Sequence, residues 1–188
     1  MNKKIILGFV GEISSGKGTA CQYLKEKYNA PSYRFSTMLR DILDRLYLDI
    51  NRKNMQNLSK IIRDEFGQDT LAKVIAEDVK NDPAKIITVD GIRRLPDIKY
   101  LREIDGFYLI YLTADQKIRY NHIIARSENI DDQNKTFEQF KKDEQAEAEQ
   151  QIKETASTAD FTIKNNGTFK ELYQELENVL EKLKKNNS

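Results

Sequence analysis

Cysteine and histidine are almost missing from this 188-residue sequence, with Cys21 and His122 the sole example of each. A lone cysteine cannot close an intramolecular disulfide, which excludes a cystine framework and leads us to expect a reducing compartment, the cytosol. Neither residue is an evident nucleophile for a covalent enzyme intermediate. Long apolar runs are missing as well. The run at 5–10 follows two lysines in the manner of a signal peptide, but Gly11 and Glu12 interrupt it before any cleavage site. No other stretch approaches the roughly 20 apolar residues that span a bilayer. An excess of one charge is also absent: 31 Lys and Arg stand against 30 Asp and Glu, a net charge of +1. That balance gives no overall pull toward nucleic acid or membrane, so any attraction for anions has to be local. The expectation is a cytoplasmic protein with small-molecule partners. There is no internal repeat or low-complexity linker, and the length suits one domain.

Apolar runs rich in Ile, Val, Phe and Tyr at 5–10, 86–89, 107–112 and 161–163 read as strands, with a weaker one at 32–35. The first and the 107–112 run are nearly continuous, as parallel strands covered on both faces require. Helical spacing fills the gaps, which is a βαβ order. Cys21, Leu24 and Tyr28 share a face, as do Leu39, Leu43, Leu46 and Ile50. Two more helices are predicted at 52–65 and 69–79, with Gly67 as a C-cap between them. The last helix carries the stripe Phe169, Leu172, Leu176, Val179 and Leu183 behind a Thr168–Glu171 capping box. These elements predict a three-layer α/β fold around a five-stranded, mostly parallel sheet. Residues 127–155 break the rhythm, because charged and amide side chains crowd them and only Phe137, Phe140 and Ile152 offer anchors. They read as a solvated helix opened by Thr136 and Gln139, as a mobile lid, or as both.

Gly11, four residues, Gly16 and Lys17 follow the first strand directly and open an amphipathic helix, the setting of a phosphate-binding loop. Glycine lets successive backbone N–H groups turn inward on phosphate oxygens, and the helix N-terminus adds partial positive charge. Lys17 supplies a point charge for the β- and γ-phosphates. Gly18 occupies the place where Ser or Thr usually reaches Mg²⁺, and Thr19 comes one residue later. A Ras-type GTPase would need an aspartate that the 134–137 stretch lacks, and the Asp64–Gly67 match to a GTPase signal follows a helical run instead of a strand.

The form Gly16-Lys17-Gly18-Thr19 resembles the adenylate kinases and related nucleoside monophosphate kinases. The resemblance implies that Gly11, Ser14, Ser15, Gly16, Lys17, Gly18 and Thr19 bind ATP, with Thr19 on phosphate and Mg²⁺ held largely by water. Ser14 and Ser15 stand where that family often has Pro, Gly or Ala. Residues 35–40, Phe-Ser-Thr-Met-Leu-Arg, extend the likeness and imply that Arg40, with Ser36 nearby, meets the acceptor; an ion pair to Asp44 is the structural alternative. Asp90-Gly91-Ile92-Arg93-Arg94 resembles the family's Asp-Gly-Phe-Pro-Arg segment. It implies that Asp90 orients Mg²⁺-bound water or the acceptor and that Arg93 or Arg94 holds the acceptor's phosphate. The helix at 115–126 resembles the one leading into the family's lid, so that Arg126 stabilises the transferred phosphoryl group and Arg119 assists at ATP; His122 replaces an arginine there. From Ala159 onward the chain resembles dephospho-CoA kinases and phage-type deoxynucleoside monophosphate kinases. The acceptor region is expected near 36–81. Lys17, Asp90 and Arg126 are the catalytic candidates, with Thr19 and Asp90 nearest the metal. A nucleoside or deoxynucleoside monophosphate is the expected acceptor, dephospho-CoA the alternative, and a nucleotide-sensing module without turnover the non-enzyme reading.

Overall fold

The structure is a computed structural model, and it describes residues 4–125, 135–145 and 151–186. Five strands form one sheet: β1 (Ile5–Val10), β2 (Ser32–Arg34), β3 (Ile86–Ile92), β4 (Phe107–Thr113) and β5 (Phe161–Lys164). Their spatial order is β2-β3-β1-β4-β5, and every pairing is parallel. The helices are α1 (Lys17–Tyr28), α2 (Phe35–Arg45), α3 (Arg52–Phe66), α4 (Thr70–Asn81), α5 (Leu95–Ile98), α6 (Gln116–Ala125), α7 (Phe137–Glu144), α8 (Ile152–Ala156) and α9 (Phe169–Asn186).

Parallel strands need helical crossovers, and the helices bury both faces of the sheet. Along β1 the side chains alternate between two cores. Ile6 and Val10 join Phe35, Leu39, Leu71, Ile75 and Ile152 on one face. Leu7 and Phe9 join Ala20, Leu24, Leu172 and Leu176 on the other. All six β1 residues are buried, which explains its unbroken apolar sequence. Each large side chain so buried contributes about 1.5–3 kcal/mol, enough to fix strand register.

Three sequence expectations change. The face from Leu39 to Ile50 does not continue as one helix: α2 stops at Arg45, Tyr47 adopts φ 56°, and Leu46 and Ile50 are exposed. β3 runs on through Asp90 and Gly91 to Ile92, with an irregularity opposite Gly8–Val10. Phe169 leaves the apolar stripe of α9 for solvent, while Leu180 joins it. The Gly67 C-cap forms, its N–H donating to Arg63 O, and so do the capping boxes at Thr136 and Thr168. Asp64–Gly67 therefore lies at a helix end, outside any GTPase strand context.

The two described parts of the 127–155 stretch bury more than their composition suggests. Phe140 is fully enclosed and packs with Phe137 against Tyr120, docking α7 on α6. Ile152 enters the sheet core, and Thr155 Oγ1 donates to Arg93 O at 3.2 Å. Among the described residues, no helix is long and apolar enough to cross a membrane.

Candidate active site

Because all five strands run the same way, their carboxyl ends share one edge of the sheet. That edge gathers the 11–16 loop after β1, the start of α2 after β2, Arg93 and Arg94 after β3, the 114–115 turn after β4, and Asn165 after β5. The connections that follow the neighbouring strands β1 and β3 pack on opposite faces of the sheet, creating the kind of crevice where open α/β sheets bind ligands.

Gly16, at φ 107°, is the N-cap of α1, and no side chain caps that helix end. Its first N–H groups therefore remain directed at an incoming anion. The Gly16 geometry admits no other residue easily, since an added Cβ would lie 2.4 Å from Asn165 Nδ2. That amide donates to Ser15 O at 3.0 Å, and the Asn165 backbone N–H donates to Thr113 O at 2.7 Å. The end of β5 thus clamps the loop after β1. Lys17 Nζ folds back over the loop and donates to Gly11 O at 2.7 Å and Glu12 O at 2.8 Å. Two buried loop oxygens, Ser14 Oγ and Glu12 Oε2, have no hydrogen-bond partner. Buried polar atoms are rarely left so: the Ser14 hydroxyl has a proton to donate to an oxyanion, whereas the Glu12 carboxylate oxygen can only accept. At Gly18 a Cβ would meet nothing within 4 Å, leaving open space above the first turn of α1.

Helix α6 forms the wall behind this loop. Arg119 is buried; its Nε donates to Ala114 O at 2.8 Å, its Nη1 donates to Ile13 O at 3.2 Å, and Nη1 also pairs with Glu144 of α7. His122 Nδ1 lies 3.1 Å from Ser14 O, so that nitrogen carries the donated proton. The histidine faces the phosphate loop instead of standing apart on the helix surface.

Asp90 is 3% exposed, its Oδ2 paired with Arg34 Nε at 2.9 Å and its Oδ1 accepting from Gly91 N–H at 2.7 Å. Burial, and next the Asp90 charge, push the nearby Cys21 thiol up to about 12. Each Asp90 oxygen keeps a further lone pair, so the carboxylate suits a water-mediated contact to Mg²⁺ better than direct ligation. Thr19 lies on the first turn of α1. These donors fit a Mg²⁺ carried in by a nucleotide, and no group of three or more His, Cys, Asp or Glu side chains able to hold a metal exists among the described residues.

On the other side of the edge, Ser36 is in the first turn of α2 and Arg40 follows one turn later, exposed, with no ion pair to Asp44. Arg94 Nη2 pairs with buried Asp97 at 3.0 Å, and the same aspartate accepts the backbone N–H groups of Arg93 and Arg94. The Arg93 side chain is exposed. Arg63 of α3 joins them: burial first, then the charges of Arg94 and Arg93, hold its guanidinium below the usual arginine range. Its buried Nε has no partner. Arg126 lies outside the described residues.

Sequence reasoning missed Glu12, Arg63, Asn165 and the contact made by His122. An acidic residue within a phosphate loop was the available signal for Glu12. The others depend on long-range packing.

A five-stranded parallel sheet with helices on both faces and a glycine-bounded loop between β1 and α1 defines a P-loop kinase-like fold. The chain belongs to the AAA domain family, which matches residues 10–141. It is 25% identical over 185 residues to a UPF0200/UPF0201 protein of Archaeoglobus fulgidus, spanning 96% of this chain but 56% of that protein. A UPF0200 protein of Methanocaldococcus jannaschii is 27% identical over 186 residues, with 97% of this chain and 92% of that protein covered. Among solved structures, shikimate kinase from Bacteroides thetaiotaomicron aligns with a TM-score of 0.62 at 13% identity, covering 94% and 98% of the two chains. A gluconokinase from Sinorhizobium meliloti aligns with a TM-score of 0.61 at 11% identity, covering 98% and 95%. At such identities the likeness is one of fold.

Proposed function

We propose that this protein is a phosphotransferase that moves the γ-phosphoryl group of ATP to a small phosphorylated acceptor. A nucleoside or deoxynucleoside monophosphate is the first candidate and dephospho-CoA the second. The observation carrying this reading is the single edge that holds a glycine-bounded loop at an uncapped helix N-terminus, with Lys17 folded over it, on one side and three arginines, Arg63, Arg93 and Arg94, on the other. A sensor without turnover needs only the first half. The fold shared with shikimate kinase and gluconokinase supports phosphotransfer, and the resemblance from Ala159 onward is common to enzymes of both acceptor types.

In this reading the α1 N-terminus and the loop N–H groups bind the ATP phosphates, Ser14 and Ser15 line the cradle, and Lys17 swings from its loop carbonyls onto the β- and γ-phosphates. Thr19, and Asp90 through water, would hold a Mg²⁺ carried in with the nucleotide, which would supply charge neutralisation at the phosphates. Arg119 braces the loop at Ile13, Arg40 and Arg93 hold the acceptor's phosphate, and Arg94 shapes the turn that presents Arg93. Arg126 neutralises the group in transfer. The location is the cytoplasm.

The test is a coupled assay of ADP release with ATP, Mg²⁺ and a panel of nucleoside monophosphates, deoxynucleoside monophosphates and dephospho-CoA. Lys17→Ala is expected to lower kcat/KM on the order of 10²–10³, the usual effect of deleting one donor to developing charge. ADP release no higher than that of the variant, for every acceptor, would sink the proposal.

A further inference from the structure

Glu12 is an unexpected residue in this loop. A cradle for phosphates gathers N–H groups and cations, and a carboxylate placed among them opposes the ligand's charge unless it has a task of its own. Its environment is specific. Oε1 accepts a hydrogen bond from the Tyr111 hydroxyl at 2.5 Å, while Oε2 is buried with no partner. Tyr111 is opposite Val10 on β4, and it packs on the sheet face that carries Phe35, Leu39, Ile92 and Ile152. The Glu12 carboxylate is therefore on the side of α2 and Arg93, where an acceptor would enter, beside the loop whose lysine holds the donor phosphates. Lys17 Nζ contacts the backbone carbonyl of the same residue at 2.8 Å. Burial, and next the hydrogen bond to Glu12, raise the Tyr111 phenol, which stays protonated and keeps donating.

We infer that Glu12 receives the proton of an acceptor hydroxyl, and that the product is a phosphomonoester. This rests on the phosphotransfer reading and decides between its two acceptor types. A monophosphate attacks through an ionised phosphate oxygen, needs no base, and would be repelled by Glu12. A hydroxyl must lose a proton, and Oε2 is a buried acceptor awaiting a donor. Asp90 is less suited to the task because Arg34 and Gly91 N–H already engage both of its oxygens. In the step, the acceptor O–H bond breaks and its proton goes to Glu12 Oε2. The acceptor oxygen bonds to the γ-phosphorus as the bond from that phosphorus to the bridging oxygen breaks, leaving ADP. The proton then passes to water. Tyr111 holds Oε1 throughout and so aims Oε2. Among the two candidates, dephospho-CoA, with a ribose 3′-hydroxyl, matches this chemistry.

The test uses the full chain with ATP and Mg²⁺, offering dephospho-CoA and unphosphorylated nucleosides beside nucleoside monophosphates, with products read by phosphorus NMR. The expected wild-type product is a new phosphomonoester, a result that does not depend on any variant folding. Glu12→Gln keeps the shape and can still accept from Tyr111. It is expected to lower kcat with the hydroxyl acceptor on the order of 10²–10⁴ and to abolish the acid limb of its pH profile, with melting temperature and binding of a fluorescent ATP analogue preserved. A purely structural clip would instead lower the melting temperature in Glu12→Gln and Tyr111→Phe alike and leave the pH profile intact. A phosphoanhydride product, or wild-type kcat in Glu12→Gln with a hydroxyl acceptor, overturns the inference while leaving phosphotransfer standing. A wild type no more active than Lys17→Ala with every acceptor overturns both.

Discussion

On the phosphate-loop side of the carboxyl edge, polar groups are buried and tied to backbone: Asn165 to Ser15, and Arg119 to Ala114 and Ile13. On the side of α2, α3 and α4, the edge presents exposed Arg40 and Arg93, the turn after α2 exposes Leu46 and Tyr47, and α3 exposes Ile61 and Phe66. The first arrangement suits a ligand of fixed geometry, since pre-placed donors need no reorganisation when phosphates arrive. The second would suit a group whose contacts are completed on binding, as the acceptor of the proposed reaction would be.

The sharpest way to break this contrast is to loosen the rigid side. Glu144→Gln removes the carboxylate from Arg119, whose side chain is only 8% exposed. A buried cation left without its partner costs about 3–5 kcal/mol. For a domain of this size we expect a drop in melting temperature of about 6–20 °C, read by calorimetry, with ATP binding weakened as the Ile13 end of the loop loosens. An unchanged melting temperature would mean that the wall behind the loop is not rigid.

A smaller effect separates two neighbouring arginines. Arg94→Ala strips the 3.0 Å partner from buried Asp97 and is expected to cost about 1–3 kcal/mol in chemical denaturation. Arg93→Ala, at an exposed side chain, is expected to cost less stability than Arg94→Ala while raising the acceptor KM. The reverse pattern would exchange their roles.

The mildest test concerns Cys21, buried under α1 with its thiol pushed up to about 12. A raised folded value means that stability is fully present below the unfolded thiol value, about 8.5, and is lost as pH climbs toward 12. Native protein should therefore resist alkylation at pH 8.5, with denaturant restoring the rate. Rapid labelling of the native chain would show that the α1 face opens.

Much of the fold was legible because local signals and burial agree. The unbroken apolar run of β1 reflects burial on both faces, and the Thr168–Glu171 box forms where its spacing places it. Helix α2 was misjudged at its end because the stop is a left-handed tyrosine, Tyr47, with no glycine or proline to announce it. Residues 137–144 looked too polar to dock, yet one phenylalanine reaching across to Tyr120 and Arg119 fastens the helix. At the site, the loop and its lysine were readable as a contiguous motif. The contacts of Asn165, His122 and Glu12 join residues 150, 108 and 99 positions apart and were not.

The separation between Ser15 and Asn165 also bears on synthesis. During translation the phosphate loop leaves the ribosome 150 residues ahead of the asparagine that clamps it. A nascent chain lacking β5 has the whole Gly11–Thr19 motif without its rear support, so the order of synthesis withholds a finished nucleotide pocket until β5 has emerged.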